Sequence, residues 1–327
     1  MALLFMDGFD YYAATDAIAR GYSQSHAGMS AGRISGQCAV SGNNTGHAVH
    51  SLSASATTVY LGIAFRTNGS NNAENDQFDL LASGSRVFRV RLQSDSAHLD
   101  LCNGAGTVIA TSNALAGGVW YYFEFKVVIN GASSTVEMKR NGTVEIATTT
   151  CNLGSTAVNQ FSFGSDGANS VGNSSGFDDV WVTDSAYLGD CRVEALLPTG
   201  AGATTAWTPS AGSNYQNVDD ATPNGDTDYN KSKTAGQTDT YAMSDLATTG
   251  GTVYGVQYHE YVRKDSAGSR TVAPVARIGG ADYAGTTRSA LDSYTYIDEI
   301  RETSPATSAA WTISEVNAME FGLKVVA

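Results

Sequence analysis

Bond-breaking chemistry at a sugar or an ester needs two or three polar side chains on one face, and this chain offers few such sets. Asp178 and Asp179 are adjacent. Neighbours on a strand point to opposite faces, so the pair cannot flank one glycosidic bond. It reads instead as a structural acceptor of backbone N–H groups from a nearby loop. In Asp298-Glu299-Ile300-Arg301-Glu302, Asp298 and Glu302 share the face of Ile300 while Glu299 pairs sideways with Arg301. A solvated strand edge with an ion pair explains that run. Of the five histidines, His26, His47, His50, His98 and His259, none has metal-ligand spacing, and His47 and His50 fall on opposite faces of a strand. There is no Gly-x-Ser-x-Gly elbow, and Gly200-Ala201-Gly202 lacks the helix and lysine of a phosphate loop. Calcium is the one cofactor with candidate loops: Asn224-Gly225-Asp226-Thr227-Asp228-Tyr229-Asn230, and the thinner Ser165-Asp166-Gly167-Ala168-Asn169. Both read first as plain turns with side-chain-to-backbone bonds.

The elements that would position these groups are short strands. Of 327 residues, 16% are charged and 35 are glycine, which suits strands and tight turns better than solvated helices. The net charge is −13, with 10 basic and 17 acidic side chains up to residue 194 and 9 and 15 beyond it. An evenly acidic surface repels phosphate backbones, so nucleic acid is not an expected partner. Cys38, Cys102, Cys151 and Cys191 show no Cys-x-x-Cys and are expected to be reduced, buried thiols. Leu3 to Met6 stops at Asp7 without a basic start, so no signal peptide is expected. No run approaches the ~20 apolar residues of a membrane span. The expected place of synthesis is a cytoplasm.

Alternation then sets the faces. Val59, Leu61, Ile63 and Phe65 share one, and Phe88, Val90 and Leu92 another, with Arg89 and Arg91 pointing away. Tyr121, Phe123, Phe125, Val127 and Ile129 form the strongest apolar face. Ser83-Gly84, Asn103-Gly104, Asn130-Gly131 and Asn141-Gly142 punctuate the strands. Tyr11 to Arg20 predicts one or two helical turns with Asp10 as N-cap and Gly21 as stop, and Asp184 to Asp190 predicts a single turn. Tyr254, Val256, Tyr258 and Val262 share a face opposite Gln257 and His259. The fold class is therefore all-β, as two β-sandwich units, residues 1–190 and 191–327.

Two stretches carry a family resemblance. Gly118-Val119-Trp120-Tyr121-Tyr122-Phe123-Glu124-Phe125, the Asn141-Gly142 turn and Gly176-Phe177-Asp178-Asp179-Val180-Trp181-Val182-Thr183 resemble the laminin-G-like, concanavalin-A-like jelly roll of lectins, glucanases and tailed-phage virion proteins. Leu197-Pro198-Thr199-Gly200, Ala206-Trp207-Thr208-Pro209 and Ala310-Trp311-Thr312 resemble segments that follow such jelly rolls in phage structural proteins. The glucanase relatives imply a Glu-x-Asp-x-x-Glu strand, which is missing. The resemblance implies a non-enzymatic bacteriophage virion protein on the particle exterior, as capsid decoration or as a tail or fibre component. It would be made and assembled in the host cytoplasm and end in the virion. A carbohydrate-active hydrolase or a lectin on the same fold is the alternative. Expected partners are other virion proteins, further copies of the chain (a trimer before a dimer) and host surface glycans. Bare sandwich edges are the expected source of subunit contacts. Asp178, Asp179 and Trp181 are the structural candidates of the first unit; Trp207, Tyr283, Tyr294, Tyr296 and Trp311 are the candidate interface residues of the second.

Overall fold

A computed structural model describes residues 2–41, 46–68, 73–165 and 175–327. The chain is all-β with antiparallel sheets and forms two compact units, Met1–Val193 and Glu194–Ala327.

The first unit holds β1 (Leu3–Asp7), β2 (Gly28–Ala31), β3 (Gln37–Val40), β4 (Gly46–Ala56), β5 (Thr58–Arg66), β6 (Asn75–Ala82) and β7 (Ser85–Leu92). It continues with β8 (Leu99–Asn103), β9 (Val108–Thr111), β10 (Tyr121–Val128), β11 (Ser134–Arg140), β12 (Thr143–Cys151), β13 (Val158–Ser165) and β14 (Gly176–Thr183). They build a jelly-roll sandwich. One sheet runs β12-β11-β10-β5-β14-β3-β2 with β1 also on β14; the other runs β4-β13-β6-β7-β8-β9. The alternating apolar residues meet between them. Phe78 of one sheet lies 5.2 Å from Phe125 of the other, and Phe163 lies 5.2 Å from Phe177. Aromatic rings at these separations add to the gain from area burial. The Ser83-Gly84 and Asn141-Gly142 turns take the positive φ that two-residue hairpins require.

Trp181 is 2% exposed and rests on the backbone of β5 at Gly62, where a Cβ would enter the indole ring. Gly62→Ala is expected to lower the stability of the first unit by about 1–3 kcal/mol through overpacking. Denaturant titration checks this, and an unchanged midpoint would mean that the indole moves aside.

The predicted helix at Tyr11–Arg20 reduces to one 3-10 turn, Ala14–Ala17. Asp10 does not cap it; its carboxylate takes the backbone N–H of Gln37 at 2.5 Å instead. Asp184–Asp190 forms no helical turn. The expectation of bare edges also fails at the long ones. The outer strand β12 carries an extra residue where Thr149 and Ile146 oppose Val136 and Met138, and the middle of β4 is covered by Ser23. Bulges and covers of this kind blunt edge pairing.

The second unit holds β15 (Pro198–Thr205), β16 (Thr208–Pro209), β17 (Asn230–Lys231), β18 (Thr238–Met243), β19 (Val256–Val262), β20 (Thr271–Ile278) and β21 (Ala281–Ala284). After them come β22 (Arg288–Ser289), β23 (Thr295–Arg301), the helix α1 (Ile313–Ala318) and β24 (Glu320–Val325). A six-stranded sheet runs β15-β18-β24-β20-β21 with β22 on β20, and β19 and β23 form a separate ribbon. The edge strand β15 is irregular between Ala201 and Thr205, where Glu320 takes the N–H of Ala203 at 2.7 Å. Among the described residues no helix is long and apolar enough to cross a membrane.

Candidate functional site

The adjacent aspartates do not behave as ordinary strand neighbours. Asp179 has φ +50°, and β14 carries one extra residue between Asp178 and Trp181 where it pairs with Ala64 and Gly62 of β5. The bulge brings both carboxyls to the same tip of the β2–β3 hairpin, which corrects the opposite-face expectation. Arg33, at that tip, donates its backbone N–H to Asp178 at 2.7 Å and its Nε to Asp179 at 3.0 Å. Its remaining nitrogens reach Asp190 at 2.5 Å and the Cys191 carbonyl at 2.8 Å, and its guanidinium lies 4.8 Å from the centre of the Tyr122 ring. Asp179 also accepts the Val193 N–H at 2.8 Å, and Tyr122 donates to its carbonyl at 3.0 Å. Burial and the charge of Asp179 push the Asp178 carboxyl up. Burial also raises Asp179, against the Val193 N–H and Arg33. Asp10 is raised to about 6, chiefly by burial. With their lone pairs committed to backbone and guanidinium, these groups form a clasp that pins a hairpin and the segment up to Val193 to the sheet.

A second polar cluster went unnoticed in the sequence. Asp7 accepts hydrogen bonds from Phe9 N–H at 2.8 Å, Tyr12 at 3.1 Å and Tyr22 at 2.8 Å, all buried. His26, bonded to the Tyr12 hydroxyl at 3.0 Å, is lowered to about 4 by burial, with Asp7 opposing. The chain order hides this set, because no spacing rule links residue 7 to residues 12, 22 and 26.

The most chemically varied surface is the outer face of the β4–β9 sheet. Asp79 pairs across β6–β7 with Arg89, and Asp76 with Arg91. Arg86 Nε reaches Asp79 at 2.8 Å, Arg89 pairs with Asp76, and Arg91 bridges Asp100 and Glu74 at 3.0 Å each. Asp100 further accepts from Gln93 and Thr111, both at 2.7 Å. Burial works against its charge, but the bonds from Thr111, Arg91 and Gln93 outweigh it and hold this carboxyl below its ordinary range. The carboxylates of Asp76, Asp79 and Asp100 are 4% exposed or less, while the arginine side chains above them are 17–31% exposed. The face therefore presents guanidinium groups held rigid by buried acids.

His47, Asp79 and Ser162 adjoin this lattice and invite comparison with a nucleophilic triad. Asp79 lies 3.2 Å and the Ser162 hydroxyl 3.1 Å from the same ring atom, His47 Nδ1. A relay needs acid and nucleophile on opposite ring nitrogens, and Ser162 is fully buried. His50 points to the other face, against Phe5 at 4.7 Å. His47, Asp76 and Asp79 also offer ligand atoms within 4.8 Å of one another. Arg86 and Arg89 already neutralise both carboxylates there, so the set fits an ion-pair lattice better than a divalent cation.

The remaining candidates divide. Trp311 is 3% exposed, donates to the Arg301 carbonyl at 2.8 Å and packs with Val316 and Met319. Trp207 is half-buried and bonded through its N–H groups to Asp239 and the Gln237 carbonyl. Tyr296 is buried in a ring stack with His259 and Tyr261, each 4.5 Å away, and Tyr294 continues it at 4.7 Å from Tyr261. Trp311 and Tyr296 are thus spent within the unit, which leaves Trp207, Tyr283 and Tyr294 as the half-buried interface candidates. In the Asn224–Asn230 loop, Asp226 takes Arg263 and Tyr294, and Asn224 bonds Asp220 and the Asp228 N–H. The loop Ser165–Asn169 lies outside the described residues beyond Ser165.

The fold and its faces define an all-β chain led by a two-sheet jelly roll. No family model matches the sequence, and no curated protein matches it. Among solved structures it is similar to a cellulose induced protein, with 16% identity, TM-score 0.39, and coverage of 59% of this chain and 94% of that one. It is also similar to the binding domain of a paraclostridial mosquitocidal protein, at 12% identity and TM-score 0.38, covering 49% and 42%. An alginate lyase of polysaccharide lyase family 7 matches at 15% and 0.31, covering 39% and 60%. The chain thus spans less than two thirds of the latter two.

Proposed function

We propose that this chain is a non-enzymatic structural protein on the exterior of a bacteriophage particle, as capsid decoration or a tail or fibre component, whose first unit contacts host glycans. The observation that carries the non-enzymatic part is the ion-pair lattice on the outer face of the β4–β9 sheet. The carboxylates of Asp76, Asp79 and Asp100 are buried and bound to arginines, so none of the three is poised as acid or nucleophile. The same face favours the lectin-like aspect of the reading, since fixed guanidinium groups donate charge-assisted hydrogen bonds to glycan oxygens, those of acidic sugars above all. The particle setting is supported by the Gly176–Thr183 and Ala310–Thr312 resemblances. Partners are other virion proteins and further copies, a trimer before a dimer, although the blunted edges make side-chain surfaces such as Tyr283 and Tyr294 better contacts than edge pairing.

Glycan-array binding together with an assay for released reducing ends tests the site. Binding without product release is expected, and Arg89→Ala should weaken it about tenfold or more, the loss of one charge-assisted hydrogen bond. Product release by the intact chain that disappears in Asp79→Asn would overturn the reading.

A further inference from the structure

We propose that the β19–β23 ribbon is a pH-set element of the second unit, seated on the six-stranded sheet while Glu260 carries a proton and loosened when that proton leaves. Glu260 lies on the inward face of β19 between Tyr258 and Val262, across from Ile297 of β23. Ile297 packs with Val272 and Leu323 of the main sheet, and Val262 joins that cluster. Tyr258 meets Phe321 at 5.0 Å. The Glu260 side chain thus enters the seam between ribbon and sheet. Both of its carboxyl oxygens are buried and without a hydrogen-bond partner among the described residues. A buried charge left so would cost several kcal/mol, so the group sits neutral.

The surrounding groups reinforce this. Burial raises Glu260 well above the ordinary range, and the charges that add to it, Asp298 and Glu299 of β23, are both negative. The cation nearest in the chain to those acids, Arg301, is taken by Glu299 at 2.6 Å, and His259 is bound to Asp298 on the outer face. The Tyr258 hydroxyl is likewise buried, with no hydrogen-bond partner among the described residues. From α1, Glu315 bonds Ser304. On the sheet strands, Arg277 pairs with Asp282 at 2.5 Å, Glu320 accepts from Thr240 at 2.7 Å, and Lys324 alternates with the inward Leu323. A carboxyl raised on folding lends stability that is complete below its unfolded value near 4.3 and is lost as pH rises through the folded value. Acid therefore seats the ribbon and alkali lifts it.

Hydrogen exchange of the full chain between pH 5 and 8, corrected for intrinsic exchange, tests the device. Protection of residues 256–262 and 295–301 should fall about tenfold per pH unit below the folded pKa. Protection in Glu260→Gln should stay flat with pH, and amides of the first unit provide the control. Flat protection in the unsubstituted chain, or an equal fall in Glu260→Gln, would overturn the proposal. Should that variant not fold, carbon NMR of the Glu260 carboxyl in the unsubstituted chain decides instead: titration well above the ordinary range supports the device, and titration near 4.3 overturns it.

Discussion

Arg33→Ala is expected to lower the stability of the first unit by about 3–5 kcal/mol, the range for breaking a buried ion pair from one side. Its side chain is 12% exposed and holds Asp179, Asp190 and the Cys191 carbonyl at once. Removing it strands the Asp179 carboxylate beside Asp178, which burial already presses toward its protonated form. Arg33→Lys should recover only part of the loss, because one ammonium cannot reach three acceptors in a fixed fork. Asp179→Ala should cost a comparable amount, and the double variant should cost less than the two single losses added, since the partners share one interaction. Urea titrations of the four variants and the unsubstituted chain measure this. Strict additivity, or a loss below about 1 kcal/mol for Arg33→Ala, would mean that the clasp does not hold the hairpin.

The second large effect concerns where the first unit ends. A chain stopped at Val193 is expected to fold alone with one cooperative transition. One stopped at Gly189 should melt about 10 °C lower, as a loss of ~3–4 kcal/mol implies at this size. Residues 184–193 have no regular structure beyond the bends, yet they are bonded along their length. Tyr187 donates to Glu137 at 2.9 Å and lies under Lys139 Nζ, Gly189 N–H reaches Glu124 at 2.9 Å, and Val193 N–H reaches Asp179. The three residues beyond residue 190 thus belong to the clasp. Differential scanning calorimetry of the two truncations decides, and equal transitions would count against the role of the segment.

These cases separate what is local in the sequence from what only the fold brings together. The apolar faces of β5, β7 and β10 and the hairpin turns follow from period-two alternation and Asn-Gly chemistry, which are local. The ion pair of Glu299 with Arg301 was equally local and is present at 2.6 Å. The clasp was half legible: Asp178 and Asp179 stood out, but the bulge that aims both at Arg33 depends on how β14 registers against β5. Alternation on β7 shows Arg89 and Arg91 as outward arginines but places Arg86 with Phe88, because the register shift opposite Leu80 and Leu81 and the acids of β6 and β8 are not local. Asp10 illustrates the converse. Its position suits a helix cap, yet the N–H of Gln37, 27 residues away, claims it. Glu260 could not be told from a solvated glutamate, since its burial comes from a sheet distant in sequence.

The proposed function makes the chain a built-in part of a phage particle exterior. Quantitative mass spectrometry of gradient-purified intact particles, before and after limited surface proteolysis, tests it most directly. The chain is expected at a fixed stoichiometry in the particle band and is expected to be cleaved by protease that leaves interior proteins whole; its absence from that band would mean that it is no part of the particle.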